Sequence, residues 1–240
     1  MPTAVVIDGA YFLRRFKHRY PELDQRSPHD LVLGIMWLAA AHVAIRSGID
    51  PAALIDETDG KKVFDTTWTE STDLYRIFFY DCEPLTKRVH SPISKRSINL
   101  AQTPEALTRI ALHQELLGVR KVALRLGRLS DQFGWRPKPG VVDTWLKTPT
   151  AFAPSDEDFE IDTIQKGVDM RLGLDVASMA FKRQVDQIVM IAADADFVPA
   201  VKLARREGID VVLDPMGGQA AKDLIAHADG VRQHIRTDRT

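Results

Sequence analysis

The sequence is poor in cysteine, with Cys82 alone among 240 residues. A single cysteine excludes a disulfide framework within the chain and a zinc site made of several thiolates. Apolar runs long enough to cross a membrane are also missing, because the longest, Leu31–Ile45, is shorter than the about 20 residues required and contains His42. The first apolar segment starts within four residues of Met1, so no signal peptide is expected. These absences predict a cytoplasmic protein with no membrane partner.

An excess of charge of either sign is lacking as well. The chain has 32 Lys and Arg against 33 Asp and Glu, for a net charge of −1. No overall field attracts it to nucleic acid, so a polyanion site must come from local clustering. With 45% hydrophobic residues the chain can bury a sizeable core. We expect one domain over residues 1–240, with insertions near residues 49–72, 84–102 and 128–160, the first turning at Asp59-Gly60.

Five short apolar runs, separated by helical patterns, read as core strands. They are Ala4–Ile7, Tyr75–Tyr80, Val122–Leu126, Ile188–Ile191 and Ile209–Leu213. Runs in which apolar residues dominate are typical of parallel strands that are covered on both faces. Ser27-Pro28 and Thr103-Pro104 look like helix starts between them. This rhythm predicts an α/β fold of three α/β/α layers, with a mainly parallel sheet in the strand order 3-2-1-4-5.

Carboxylates follow the first and the fourth predicted strand. Asp8 ends the first, and Asp194 and Asp196 come just after the fourth. In the order 3-2-1-4-5 the switch point lies between these two strands, and ligands of open α/β sheets bind at such points. Asp169 opens the helix that precedes the fourth strand. The sequence therefore predicts that these four acids meet in one cleft.

Each acid also has a simpler structural interpretation. Aspartate favours turns and helix N-caps, which would account for Asp194 and Asp196. The helix macrodipole favours Asp169 in a first turn. Asp81 follows the second strand, but turn-forming residues close by make a turn an equally good interpretation there.

Clustered carboxylates need a cation. At about 5 Å and an effective dielectric of about 20, each pair repels by roughly 3 kcal/mol, which a marginally stable domain does not accumulate without compensation. Oxygen ligands without His or Cys suit hard cations, so Mg²⁺ or Mn²⁺ is favoured over zinc. Such ions activate water and neutralise phosphoryl oxygens in phosphodiester hydrolysis.

Two predicted loops are rich in cations. Six basic side chains are candidates for phosphate contacts: Lys87, Arg88, Lys95, Arg96, Arg136 and Lys138. In the second loop Trp135 and Trp145 alternate with cations, a pattern suited to stacking bases and holding phosphates. Solvated basic loops, and tryptophans that anchor a loop to the domain, are the competing interpretations.

Three motifs occur in an order and spacing that span nearly the whole chain. They are VVIDG at residues 5–9, KGVDMRLGLD at 166–175 and IVMIAADADFVPAVKLARREGIDVVL at 188–213. Together they resemble the NYN domains, of the LabA-like bacterial group, in the PIN-like nuclease superfamily. The resemblance implies a PIN-like α/β/α fold and a metal-dependent ribonuclease site at Asp8, Asp169, Asp194 and Asp196. With the oxygen-only donors, we expect Mg²⁺ or Mn²⁺ as the cofactor and RNA, in single-stranded form, as the partner.

The sequence departs from that family at a few positions. Ala192-Ala193 stands where the family usually has Ser-Gly, and Tyr11 where it often has Asn. The carboxylates remain, but we expect fewer polar contacts beside them. Asp175 matches a further acidic position of the family motif. Because it lies six residues beyond Asp169, it falls on another helix face, and a structural role is expected.

Two other classes of function remain open. A nucleic-acid-binding or partner-binding regulator would keep the fold with little catalysis. A small-molecule phosphatase or phosphotransferase is the weakest alternative, because the sequence has no Gly-rich phosphate loop. Self-association into a homo-oligomer is left open.

Overall fold

The computed structural model describes residues 2–58, 61–64, 73–130 and 134–232. For residues 55–64 it describes the backbone alone. The helices are α1 (Gly9–Arg19), α2 (Pro28–Arg46), α3 (Pro104–Gly118), α4 (Val141–Lys147), α5 (Val168–Phe181), α6 (Val198–Arg206) and α7 (Lys222–His227). The strands are β1 (Thr3–Asp8), β2 (Ile55–Thr58), β3 (Lys61–Phe64), β4 (Leu74–Cys82), β5 (Arg88–His90), β6 (Ser97–Asn99), β7 (Val122–Leu129), β8 (Gly134–Pro137), β9 (Phe159–Asp162), β10 (Gln165–Lys166), β11 (Gln187–Ile191), β12 (Asp210–Leu213) and β13 (Gly230–Val231).

The central sheet has seven strands in the order β10-β7-β4-β1-β11-β12-β13. Six of them run parallel, and β10 pairs antiparallel with β7 at one edge. The five strands predicted from sequence are β1, β4, β7, β11 and β12. They lie in the sheet as β7-β4-β1-β11-β12, so the predicted order 3-2-1-4-5 is confirmed.

Side chains of the central strands alternate between two cores, one on each face of the sheet. In β1, Val5 and Ile7 join the core formed with α1, α2 and α3. Ala4 and Val6 join the core formed with α5, α6 and α7. The chain therefore has the three predicted α/β/α layers. Residue parity along a strand decides which helix layer a side chain faces.

Helix α2 is apolar around its whole circumference, and 13 of its 19 residues are buried. By length and mean hydropathy, 1.4, it could cross a membrane, but 67% of that window is buried inside the protein. It packs against α1, α3 and the sheet. Such burial is that of a core crossover helix.

Helices α2 and α3 begin where the sequence predicted, each with a proline in the first turn. Ser27 Oγ accepts from the N–H of Asp30 at 3.2 Å. Thr103 Oγ1 accepts from the N–H of Ala106 at 3.3 Å. Side-chain caps satisfy amide donors that have no partner within the helix, and each contributes about 1 kcal/mol of stability.

The predicted insertions contain small two-stranded sheets outside the central sheet. Residues 49–72 contain the β2–β3 hairpin, although the predicted turn at Asp59-Gly60 lies outside the described residues. Residues 84–102 contain the β5–β6 hairpin. Residues 128–160 contain β8 and α4, and β8 pairs with β9.

Candidate active site

Asp8 lies at the carboxyl end of β1, in the middle of the sheet. It pairs in register with Tyr80 of β4, and its parity turns it toward the α5 layer, as it does Ala4 and Val6. Gly9 comes next because the backbone passes very close to β4 there. A Cβ on Gly9 would lie 2.6 Å from the Tyr80 carbonyl oxygen. At Asp8 and Gly9 the chain therefore passes close to Tyr80 of β4 and enters α1.

The Asp8 carboxylate is held by the first turn of α1. Its Oδ1 accepts from the N–H of Tyr11 at 3.1 Å, as the N-cap of the helix. Burial raises the pKa of Asp8, and the negative charge of Asp169 raises it further, against the opposing effects of the Tyr11 N–H and Arg14. A carboxylate whose charge is disfavoured by burial and by a like charge gains from any cation bound beside it.

Asp194 and Asp196 follow β11, the strand next to β1. Ile191 of β11 pairs with Ile7, so both strands reach the carboxyl edge together. Asp194 is the N-cap of a 3₁₀ helix, Ala195–Phe197, and its Oδ1 accepts from the N–H of Asp196 at 3.2 Å. Both acids are exposed. Asp194 therefore does cap a helix, as its structural interpretation predicted. The cap uses Oδ1 of Asp194 and does not use Oδ2.

Asp169 reaches the same edge from the first turn of α5. The helix starts after Gly167, whose φ of 81° lies in the left-handed region that glycine adopts readily. Burial raises the pKa of Asp169, and the charges of Asp196 and Asp194 raise it further. Helix α5 also packs against the 3₁₀ helix that follows Asp194. The three chain segments thus converge, and their acids repel one another.

The acidic cluster (Asp8, Asp169, Asp194 and Asp196) has no ion pair among the described residues, although the charge of Arg14 acts on Asp8. None of the four acids forms an ion pair with a residue that the structure describes. Within those residues, no three His, Cys, Asp or Glu side chains are grouped closely enough to hold a metal ion. The carboxylates are neighbours without being a closed ligand set. Mg²⁺ usually keeps several waters and binds through one or two carboxylates plus substrate phosphates, so this oxygen-only donor set fits such a cation.

Two other acids at strand ends face the opposite helix layer and are held there by histidines. Asp214 follows β12, and its Oδ2 lies 2.9 Å from His42 Nε2 on α2. Asp81 belongs to β4, and its Oδ2 lies 2.9 Å from His113 Nε2 on α3 and 3.3 Å from Arg109 Nε. The turn interpretation of Asp81 is wrong, because β4 continues past this residue and buries its carboxylate against α3.

Asp175 lies on another face of α5, away from Asp169. Its Oδ2 accepts from the Tyr80 hydroxyl and from Arg125 Nε, each at 2.9 Å. Arg125 also lies over the Phe78 ring, 5.5 Å from the centroid. Asp175 therefore joins α5 to β4 and β7, which is the structural role that its helix face predicted.

The residues that depart from the NYN motif make apolar or structural contacts. Tyr11 uses its N–H in the α1 cap and donates its hydroxyl to the Pro215 carbonyl at 2.6 Å. Ala192 is fully buried in the core on the α5 side. The Ala193 carbonyl accepts from the N–H of Ala221 at 2.9 Å. As expected from sequence, these side chains supply no polar group to the acidic cluster.

The predicted phosphate-contact residues lie on two small sheets that are joined to each other. Trp135 Nε1 of β8 donates to the His90 carbonyl of β5 at 3.0 Å. Asp156 Oδ1 accepts from the N–H groups of Ile93 and Ser94, each at 3.0 Å. We call residues 87–99 and 134–162 the outer platform. Asp156 thus has a structural role within the outer platform.

The cations of the outer platform differ in their contacts. All six predicted side chains are exposed: Lys87, Arg88, Lys95, Arg96, Arg136 and Lys138. Arg136 Nη2 lies 2.8 Å from Glu160 Oε1, and its Nη1 lies 3.6 Å from Asp162 Oδ1. Lys95 and Arg96 make hydrogen bonds within their own turn. Arg136 therefore has its charge largely balanced by two carboxylates.

Comparisons with known proteins give a partial family match. Residues 143–234 match the family model of the NYN domain. This segment contains Asp169, Asp194 and Asp196, and the match supports an NYN domain protein, which suggests a member of the PIN-like nuclease superfamily. The chain is also similar to a protein of unknown function from Vibrio parahaemolyticus RIMD 2210633, whose crystal structure matches with a TM-score of 0.44 and 13% identity over 96% of this chain and 90% of that chain. No curated protein matches the chain.

Proposed function

We propose that this chain is a divalent-metal-dependent ribonuclease, of the LabA-like group of NYN proteins, that hydrolyses phosphodiester bonds in single-stranded RNA. One observation carries the proposal: four acids from three chain segments lie at the carboxyl edge without an ion pair among the described residues, and the other three acids repel Asp169. The two strand-end acids with structural roles each have a histidine partner instead. Unneutralised carboxylates at a switch point are suited to bind a cation.

The acids have distinct duties in this proposal. Asp8 and Asp194 end adjacent strands and would hold Mg²⁺ or Mn²⁺, with Asp169 and Asp196 beside them. Hydrogen bonds from the N–H groups of Tyr11 and Asp196 orient one oxygen of Asp8 and of Asp194. The second oxygen of each carboxylate remains for the ligand. A bound cation would supply Lewis-acid stabilisation of phosphoryl oxygens and activation of water.

The outer platform is the proposed contact surface for RNA. Its exposed cations are suited to phosphates, as single-strand binding requires. Trp145 is 45% exposed and stacks on Phe152, with ring centroids 6.1 Å apart and planes at 26°. This pair offers a flat aromatic surface to a base. Trp135, by contrast, is tied to the His90 carbonyl and acts as the loop anchor.

Manganese is expected to raise the melting temperature of the protein. A ligand at a hundredfold excess over its Kd stabilises by about 2.7 kcal/mol, which corresponds to about 5–11 °C for a chain of this size. In EDTA, Asp196→Asn should raise the melting temperature by about 1–2 °C, because it removes a charge that repels Asp169. With manganese the variant should gain less than the parent. Thermal melts in EDTA and in manganese measure both effects.

Asp143→Asn is the matched control for these melts. Asp143 is an exposed acid in the first turn of α4, outside the acidic cluster, so its removal should leave the manganese response intact. If Asp194 and Asp196 merely form a turn, Asp194→Ala should lower the free energy of unfolding by about 1 kcal/mol with or without metal. Manganese would then stabilise none of these proteins, and the metal site would be refuted.

RNA binding is expected to weaken steeply with salt. Each phosphate contact to a single strand contributes about 0.7 to the slope of log K against log salt concentration. Replacing one platform cation by Gln should flatten the slope by about that amount, and Arg136→Gln should have the smallest effect because two carboxylates already balance its charge. Arg206→Gln, an exposed cation of α6, is the control. An unchanged slope across all six variants would leave these residues as solvated loops.

A further inference from the structure

A cavity of about 500 Å³ opens at the carboxyl edge of the sheet, between the first turns of α2 and α3 and the segment after β4. It lies on the helix layer opposite the acidic cluster, since Leu31 and Leu112 belong to both its lining and that core. Its walls are mainly apolar. Small-molecule sites typically occupy about 300–1,000 Å³ and combine apolar walls with a few polar groups. The cavity has the size and lining of such a site.

One arginine of the cavity is fixed by a buried ion pair. Arg109 Nε lies 3.3 Å from Asp81 Oδ2, and the Asp81 side chain is fully buried. His113 holds the same oxygen at 2.9 Å. The contact engages Nε. A guanidinium fixed in this way is suited to bind an oxyanion through its terminal nitrogens.

Arg26 supplies a second cation to the cavity. Thr108 Oγ1 donates to the Arg26 carbonyl at 3.3 Å, which brings the segment before α2 beside α3. Glu105 also lines the cavity, and its carboxylate can accept from amino or hydroxyl donors of a ligand. Two cations and one acceptor beside an apolar wall favour a ligand that joins an anion to a flat or apolar body.

We propose that this cavity binds one nucleotide unit, with the base against the apolar wall and the phosphate on Arg26 and Arg109. The choice of a nucleotide among anions with apolar bodies rests on the proposed action on RNA. The unit is either a free mononucleotide or the terminal nucleotide of an RNA, because both present the same base, ribose and phosphate. Glu105 then accepts from the ribose hydroxyls or from an amino group of the base.

The proposal is tested by calorimetric titration of adenosine monophosphate and uridine monophosphate into the Asp8→Asn protein in EDTA, where neither metal nor cleavage contributes. One nucleotide should bind per chain. Arg109→Lys should weaken binding at least about tenfold, because lysine keeps a charge for Asp81 but cannot make a bidentate contact with phosphate. Leu85→Trp, in the loop that lines the cavity, should abolish binding by filling the space. Arg206→Gln on α6 should change nothing.

Inorganic phosphate is the second probe, and thermal melts establish that each variant is folded. Equal binding of phosphate and mononucleotide, or nucleotide binding that survives both Arg109→Lys and Leu85→Trp, would overturn the proposal. Competition by a linear RNA, but not by its circular form, identifies an RNA end as the source, whereas a free nucleotide is identified by the absence of competition from either. Nucleotide binding without RNA cleavage by the parent protein refutes the nuclease and keeps the cavity site. RNA cleavage by the parent protein without nucleotide binding keeps the nuclease and refutes the cavity site.

Discussion

Asp8→Asn and Asp194→Asn are each expected to abolish metal-dependent cleavage of single-stranded RNA while the protein stays folded. Each change removes one negative charge from the acidic cluster and no volume from either core. Residues that merely orient metal ligands typically cost about 10- to 100-fold in activity when replaced. Loss of a ligand should therefore lower the rate by at least about 100-fold. Cleavage of a labelled RNA in magnesium or manganese, with thermal melts in parallel, measures the effect.

Asp175→Asn is the matched control for this experiment. Asp175 is on the same helix as Asp169, but its carboxylate bonds to Tyr80 and Arg125. The variant should melt at a lower temperature and still cleave RNA. Retained cleavage in both purified variants, Asp8→Asn and Asp194→Asn, would refute the site. A parent protein that binds RNA without metal-stimulated cleavage would instead favour the regulatory alternative.

The central part of the fold could be predicted because its signals are short-range. Short runs dominated by apolar residues mark buried parallel strands, and right-handed crossovers leave few strand orders for them. The caps at Ser27 and Thr103 are equally local, since each lies three residues from the amide it accepts. β10 has two residues, which is too short for any periodic pattern. Its pairing depends on the tertiary structure around it.

Parity sorts the acids at the carboxyl edge into two groups. Ile7 faces the α1–α3 layer, so Asp8, one residue later, faces α5. Val212 faces the α1–α3 layer, and Asp214, two residues later, meets α2 from the same side. The sequence contains this alternation, but it does not say which layer each face packs against. Only the packed structure assigns one group to the candidate site and the other to buried contacts with histidines.

The partners of the buried acids could not be predicted from sequence. His42 is 172 residues from Asp214, and His113 is 32 residues from Asp81. A histidine within an apolar helix does not indicate which carboxylate it will meet. The contact exists because α2 and α3 cover the ends of β12 and β4, which follows from the three-layer packing as a whole.

Breaking the His42–Asp214 pair is expected to be the largest stability effect of any single side chain considered. His42 Nδ1 accepts from Arg232 Nη1 at 3.1 Å, so Nε2 carries the proton and donates to Asp214 Oδ2 at 2.9 Å. Asp214 Oδ1 accepts from the N–H of Met216 at 2.7 Å. His42 is wholly buried, and Asp214 is nearly so. Removing one partner leaves the other buried and incompletely bonded.

His42→Ala should therefore lower the free energy of unfolding by about 3–5 kcal/mol, or the melting temperature by about 6–20 °C. Arg136→Gln is the control, because it breaks an exposed ion pair and should cost less than about 1 kcal/mol. In a double-mutant cycle, adding Asp214→Ala to His42→Ala should cost less than Asp214→Ala does alone, since the orphaned carboxylate is gone. Additive costs would show that the pair contributes no coupling.

The same pair fixes the direction of a pH dependence. Burial lowers the pKa of His42 from its ordinary value of 6.5, although Asp214 opposes the shift, and the positive charges of Arg232 and Arg19 reinforce it. Below about pH 6.5 the unfolded chain then binds a proton at this histidine that the folded protein does not. The contribution of His42 to the free energy of unfolding should thus be fully present above that pH. It should decline as the pH falls toward the lowered pKa of His42. His42→Gln, which can still donate to Asp214 but does not titrate, should lose this component of the decline. Identical pH profiles of unfolding free energy for the parent and His42→Gln would show that His42 is not buried in its neutral form.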